Sequence, residues 1–197
     1  MKKTVFILCM GLSLLVGSCV SSIAGTPTSA KVSTKTINTE SPVSNLNLSY
    51  AFTQANDHPE KVLIGVIGEA KNSLDIAIYS LTHPGIIQAI ADAKKRGVAV
   101  RIISDKTEAK NKTQAVALSN LKAAGVPIKI NTHTGLMHLK VSIIDKKILT
   151  SGSFNYSKAA STTNDEVLIV DRDTIAATKW DQEFNVMWND NTKFANF

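Results

Sequence analysis

From Leu74 to Asn131 the chain alternates short apolar runs with segments of helical period, and glycine punctuates the helices. Leu74 to Tyr79 reads as a buried strand. Val98 to Ser104 is the β-branched, nearly continuous kind of run found inside a sheet covered on both faces. Between them, Pro84 to Arg96 carries proline at its first position and is ended by Gly97, the usual asymmetry of a helix. Glu108 to Ala124 reads as the next helix and stops at Gly125, and Ile128 to Asn131 as a short strand. This order is that of an α/β fold.

The flanks extend the pattern. Asn47 to Thr53 alternates enough for a first strand. Pro59 to Lys71 reads as a helix, with Asp57 as its cap and Val62, Leu63, Val66 and Ile67 on one face. His138 to Ile144, the turn Asp145-Lys146 and Lys147 to Thr150 form a hairpin. Asn155 to Ala160 can begin a helix, Glu166 to Asp171 is a strand, and Thr174 to Trp188 closes the chain as a helix. No internal repeat is visible. The expectation is a single α/β domain over residues 46–197, with a mixed, mostly parallel sheet flanked by helices on both faces.

The first residues are of another kind. Met-Lys-Lys, the apolar run Thr4 to Val16 and the small residues beyond match a secretory signal peptide over residues 1–24. The run is short of the ~20 residues that span hydrocarbon. Ser22-Ile23-Ala24 suits a peptidase that frees a soluble protein. Val16-Gly17-Ser18-Cys19 resembles a lipoprotein box, which would acylate Cys19 and tether the chain to a membrane. Soluble export, periplasmic or secreted, is the expectation and the tethered lipoprotein its alternative. Residues 25–45, rich in Ser and Thr with Pro27 and Pro42, read as a flexible linker. Both cysteines, Cys9 and Cys19, precede the domain. The domain therefore has no thiolate for catalysis or zinc, and rests on an ordinary core of the size about 150 residues can build.

The net charge is +6, of which Lys2 and Lys3 supply two. A modest positive balance suits a polyanionic partner such as nucleic acid or anionic lipid, and equally many solvated surfaces.

Chemistry concentrates in the hairpin and in the segment just beyond it. His138 and Lys140, two apart on a strand, point to one face. The return strand leads to Ser151-Gly152-Ser153-Phe154-Asn155. There Gly152 permits close backbone approach, Ser153 and Asn155 offer neutral donors, and free N–H groups at a helix start favour an anion. An imidazole, a fixed cation and several donors around one cavity suit a phosphate. Taken singly each has a plainer reading: a surface histidine, a solvated lysine, a turn.

The full spacing is more specific. His138-x-Lys140, four residues, Asp145, six residues, Gly152-Ser153, then Asn155 resembles the HKD motif of the phospholipase D superfamily. It is most similar to the small bacterial endonucleases that carry one motif per chain. Gly152-Ser153-Phe154-Asn155-Tyr156 shares in the likeness, and more loosely the region from Leu46 to Trp188. Many superfamily members place the last motif residue after Gly-Ser-x-x; here Asn155 follows after a single residue, as in the endonuclease branch.

The resemblance implies a phospholipase D-like fold and a mechanism without metal or other cofactor. His138 attacks phosphorus and forms a phosphohistidine, and a second histidine protonates the leaving oxygen and then activates water. Lys140, Ser153 and Asn155 hold the non-bridging oxygens. Glu166 accepts a proton from the other ring nitrogen of His138. Asp145 and Gly152 are architectural. One motif is present where two are needed, so a homodimer with two-fold symmetry is expected.

Other residues are weaker candidates. His133 and His138 lack a carboxylate cluster and do not read as a metal site. His83, before Pro84 at a strand end, is a candidate substrate contact. Lys106, Lys110 and Lys112 follow a strand and form either a solvated helix start or a rail for phosphates. Tyr156 and Phe154 could stack on bases, although Phe154 suits the core better. With 6% aromatic residues, little base readout is expected. Three functions compete: a nonspecific endonuclease acting on DNA, with RNA as a second polymer; a phospholipase D or cardiolipin-type lipid phosphodiesterase; and a non-catalytic nucleic-acid-binding or uptake protein.

Overall fold

The computed structural model describes residues 47–197. The expected signal peptide (1–24), its cleavage point, Cys19 and the linker (25–45) lie outside the described residues. The elements run β1 (Leu48–Phe52), α1 (Pro59–Gly68), β2 (Ser73–Ile78), α2 (Pro84–Lys95), β3 (Ala99–Ser104), α3 (Lys112–Ala123), β4 (Ile128–Asn131), β5 (Lys140–Ile144), β6 (Ile148–Gly152), α4 (Lys158–Thr162), β7 (Val167–Asp171), α5 (Thr174–Asn189) and β8 (Phe194–Asn196). All strands join one sheet in the order β1-β7-β6-β5-β2-β3-β4-β8.

The α/β class and the helices on both faces hold. Alternation along the central strands explains the layers: Leu74, Ile76 and Ile78 of β2 join Val100 and Ile102 of β3 under α1, α2 and α3. Ala77 and Ile103 point the other way, with Val141 and Ile143, toward Phe184 and Ala177 of α5. Side chains on successive strand residues face opposite sides, so each strand feeds both cores.

The strand sense corrects the expectation of a mostly parallel sheet. Only β2–β3 and β3–β4 are parallel. The pairs β1–β7, β2–β5, β4–β8, β5–β6 and β6–β7 are antiparallel. Parallel neighbours need a helical crossover, and helices α2 and α3 supply just two. The tight β5–β6 connection can only reverse direction: Asp145 and Lys146 both have positive φ (52° and 56°), and Lys147 N–H donates to the Ile144 carbonyl at 2.9 Å. This is the primed turn that matches strand twist.

Three local expectations also change. Asp57 does not cap α1: its carboxylate accepts from Phe52 N–H at 3.0 Å, and left-handed His58 sits at the cap. The segment from Glu108 is a single 3-10 turn, Glu108–Lys110, before Asn111 caps α3 through Thr113 N–H. The helix after Asn155 starts only at Lys158, capped by Ser157. Strand β8 adds to the expected elements; at three residues it is too short to carry a period.

The register fixes where chemistry can occur. Ile78 pairs with both Ser104 and Lys140, so the C-terminal ends of β2 and β3 meet the start of β5. Gly152 at the end of β6 pairs with Leu168 near the start of β7. His138, Lys140, Gly152 and Glu166 are thereby brought to one end of the sheet.

Candidate active site

A cavity of about 350 Å³ opens at this end, lined by His138, Lys140, Gly152, Ser153, Asn155 and Glu166. Every lining residue belongs to the expected set. Lys140 is buried, with 6% of its surface exposed, whereas His138 is exposed. The ammonium of Lys140 lies 3.1 Å from each ring nitrogen of His138 and donates to the His138 carbonyl at 2.9 Å. Burial pulls the Lys140 pKa below the ordinary lysine value, and the charge of Glu166 opposes that shift.

Tyr79 completes this corner. Its ring centroid lies 4.6 Å from that of His138 and 5.1 Å from Lys140 Nζ. Burial, with Glu108 and Asp105 nearby, raises the Tyr79 phenol above its usual pKa. Asp105, fully buried, accepts from Thr107 and Glu108 N–H and, at 2.9 Å, from Met137 N–H, which fixes the chain one residue before His138. Neither residue is among the sequence candidates. The strand end at Tyr79 and the acid after β3 are visible signals, but only the fold sets Tyr79 against His138 and Asp105 against Met137.

Gly152 has φ 125°, and a Cβ there would sit 2.2 Å from the Val167 carbonyl oxygen. Close approach is thus required, by strand β7. That carbonyl accepts from Ser153 and Phe154 N–H at 3.1 and 3.3 Å, and Ser153 Oγ accepts from Val167 N–H at 3.2 Å. Tyr156 and Ser157 N–H are also satisfied within the chain. The free backbone N–H groups expected at a helix start are therefore spent within the chain at these four positions, while the Asn155 N–H has no partner among the described residues and stays beside the side-chain donors. Asn155 contributes one such group, and its Oδ1 is buried without a partner, an atom that costs stability unless something donates to it.

Glu166 faces the cavity, but its Oε1 accepts from Asn164 Nδ2 at 3.1 Å, and no hydrogen bond joins it to His138. The expected Glu166–His138 pair is not formed. Asp145 lies at the far end of β5, where its carboxylate accepts from the N–H groups of Lys71, Asn72 and Ser73. It clamps the hairpin to the start of β2, the architectural part expected of it.

The weaker candidates disperse. His83 caps α2, accepting from Ile86 N–H at 3.4 Å, and does not line the cavity. Lys106 donates to the His133 carbonyl, which ties it down, while Lys110 and Lys112 are exposed away from the cavity lining. Phe154 and Tyr156 are fully buried, and the Tyr156 hydroxyl pairs with Ser142 Oγ at 2.6 Å. Tyr156 is core and has no face to offer a base.

The chain matches, over residues 63–188, the family described as "Cardiolipin synthase, PLD-like domain". It belongs to this phospholipase D-like family. The crystal structure of Nuc, a phospholipase D family member from Salmonella typhimurium, superposes with a TM-score of 0.71 at 27% identity, covering 76% of this chain and 97% of that one. NucT from Helicobacter pylori gives a TM-score of 0.69 at 31% identity, over 76% and 98%. Among curated relatives, the mitochondrial cardiolipin hydrolase of Chlamydomonas reinhardtii is 32% identical over 62% of this chain and 54% of its own length. The phospholipase D of Rickettsia prowazekii is 36% identical over 67% and 64%. The chain thus spans between about half and two thirds of these curated relatives.

Proposed function

We propose that this protein is an exported phosphodiesterase that hydrolyses nucleic acid, DNA in the first place, through a covalent phosphohistidine and without a metal. The observation that carries the proposal is the cavity whose entire lining is one histidine, one buried lysine, Gly152, Ser153, Asn155 and Glu166. A phosphodiester is a single negative charge with two non-bridging oxygens. Lys140 supplies the opposite charge from a site too buried to relax, and Ser153 Oγ–H and the Asn155 amide supply neutral donors.

In the first step a His138 ring nitrogen attacks phosphorus while the bond to the leaving oxygen breaks, and that oxygen takes a proton from a second histidine. In the next, the second histidine removes a proton from water, the water oxygen bonds to phosphorus, and the phosphorus–nitrogen bond breaks. Among the described residues one chain brings a single histidine to the cavity; His58, His83 and His133 are elsewhere. The second is assigned to His138 of another copy, so the active unit is a homodimer. Glu166, unpaired with His138 in the single chain, is assigned to orient a histidine once the dimer forms.

Support for nucleic acid over lipid comes from the motif itself, in which Asn155 follows Gly152-Ser153 after a single residue, the spacing that resembles the single-motif endonucleases; the chain also covers nearly the whole length of Nuc, a phospholipase D family member, at 27% identity. The cardiolipin hydrolase and phospholipase D relatives favour a second reading, a lipid phosphodiesterase with the same centre. Plasmid nicking in EDTA, beside hydrolysis of cardiolipin vesicles and with the His138→Ala variant in both, separates the two. The proposal expects nicking by the wild type alone; cleavage restricted to vesicles, or nicking that needs added metal, would overturn it.

A further inference from the structure

A second groove, of about 250 Å³, adjoins the cavity and shares two of its walls, Ser153 and Glu166; its remaining lining is Phe52, Gln54, Asp165 and Val167. Phe52 is 47% exposed and stacks with Tyr50, 55% exposed, at an interplanar angle of 14° and 6.3 Å between centroids. Both project from edge strand β1, where Phe52 stands opposite Val167. The Gln54 amide is fixed: its Nε2 donates to the Thr163 and Asn164 carbonyls at 3.2 and 3.1 Å. Both N–H donors of that amide are thus engaged, and Oε1 is left as an acceptor.

We infer that this groove is a base subsite: it takes one unstacked nucleobase next to the scissile phosphate, and it favours a base that carries an exocyclic amino group. The inference rests on the nuclease reading of the adjoining cavity. A flat aromatic ring beside a phosphate cavity provides the stacking platform that single-stranded nucleic acid uses. The polar wall offers acceptors from Gln54 Oε1 and the carboxylates of Asp165 and Glu166; its one side-chain donor, Ser153 Oγ–H, is assigned to the phosphate in the adjoining cavity. These acceptors pair with an exocyclic amino group, whereas thymine offers them only its N3–H, set between two carbonyls that they repel. The Asp165 carboxylate, which lines this groove and not the cavity, repels a further phosphate, so the backbone passes outside the groove while the base enters it. An acyl chain would have to dehydrate two carboxylates and an amide without replacing their hydrogen bonds. A base held in duplex stacking cannot reach Phe52, so single strands are the preferred substrate. The expected low base readout is thereby narrowed to one position.

The test compares kcat/KM on short single strands of deoxycytidylate, deoxythymidylate and a base-free backbone of the same length. The wild type should cleave deoxycytidylate about 10-fold faster than the base-free strand and about 5-fold faster than deoxythymidylate. Phe52→Ala should remove the first difference through KM, Phe52→Trp should keep it, and Gln54→Leu should remove only the second. Equal rates of the wild type on all three strands would overturn the subsite while leaving the nuclease intact. So would a Phe52→Ala loss as large on the base-free strand, or one accompanied by a shift to monomer in sedimentation, which would make Phe52 an interface residue. Failure of the wild type on every strand, with hydrolysis of cardiolipin vesicles, would instead remove the nuclease reading itself.

Discussion

At Gly152 a hydrogen atom in place of a methyl group lets strand β7 close on the site. A Cβ there would lie 2.2 Å from the Val167 oxygen, in a backbone conformation with φ 125°. Gly152→Ala should cost about 2–4 kcal/mol, combining overpacking with left-handed strain, and lower activity with it; an unchanged urea midpoint would contradict this. Lys140 predicts a pH effect. Its charge is needed, and burial holds its pKa below the ordinary lysine value while Glu166 raises it in part. The alkaline limb of kcat/KM should therefore fall at lower pH than a free lysine would give, and Glu166→Gln should move it lower still. Arginine stays charged throughout, so residual activity of Lys140→Arg should lack the limb. A limb that Glu166→Gln leaves in place, or moves upward, would show that another group titrates. The six cavity residues were legible because the spacing of His138, Lys140, Gly152, Ser153 and Asn155 survives in a sequence, and because the family resemblance points to Glu166. The Tyr79 contact and the Asp105 hold on Met137 were not, because each reaches His138 or its neighbour across strands distant in the chain.

The hairpin β5–β6 carries the site at one end and its clamp at the other. Three backbone N–H groups reach Asp145 from the start of β2. Burial alone would raise the Asp145 pKa, but the N–H groups of Ser73, Asn72 and Lys71 outweigh it and hold the carboxyl below its ordinary value. A lowered folded-state pKa contributes stability above the unfolded value, and that contribution is lost as pH falls through the folded value. Asp145→Asn should thus be less stable than the wild type at neutral pH, by about 1–2 kcal/mol, and the gap should close in acid. Its activity at low temperature should persist, since the turn is remote from the cavity. Loss of turnover without loss of stability would place Asp145 in the chemistry instead. The hairpin, both βαβ crossovers and four of the five helices were readable from period and from proline and glycine. Strand sense was not: the pairing of β5 with β2 and of β7 with β1 depends on which faces meet. Strand β8 is too short to show a period, and the N–H groups after Gly152 look free until β7 is placed against them.

At the scale of the whole molecule, one chain is half of the proposed active site. The homodimer should appear in sedimentation, and activity per chain should fall on dilution below its dissociation constant; a fully active monomer would contradict the shared site. Export and the two fates of residues 1–24, cleavage or acylation at Cys19, are proposals of the same rank, and the mass of the mature protein distinguishes them. The covalent intermediate tests the central claim most directly. A single-stranded DNA substrate should be mixed with excess enzyme in EDTA, quenched within the first turnover, and the protein digested for mass spectrometry. The phosphohistidine mechanism predicts a phosphoryl-linked nucleotide on the peptide containing His138, absent from His138→Ala. Rapid cleavage with no adduct, or an adduct on another residue, would contradict it.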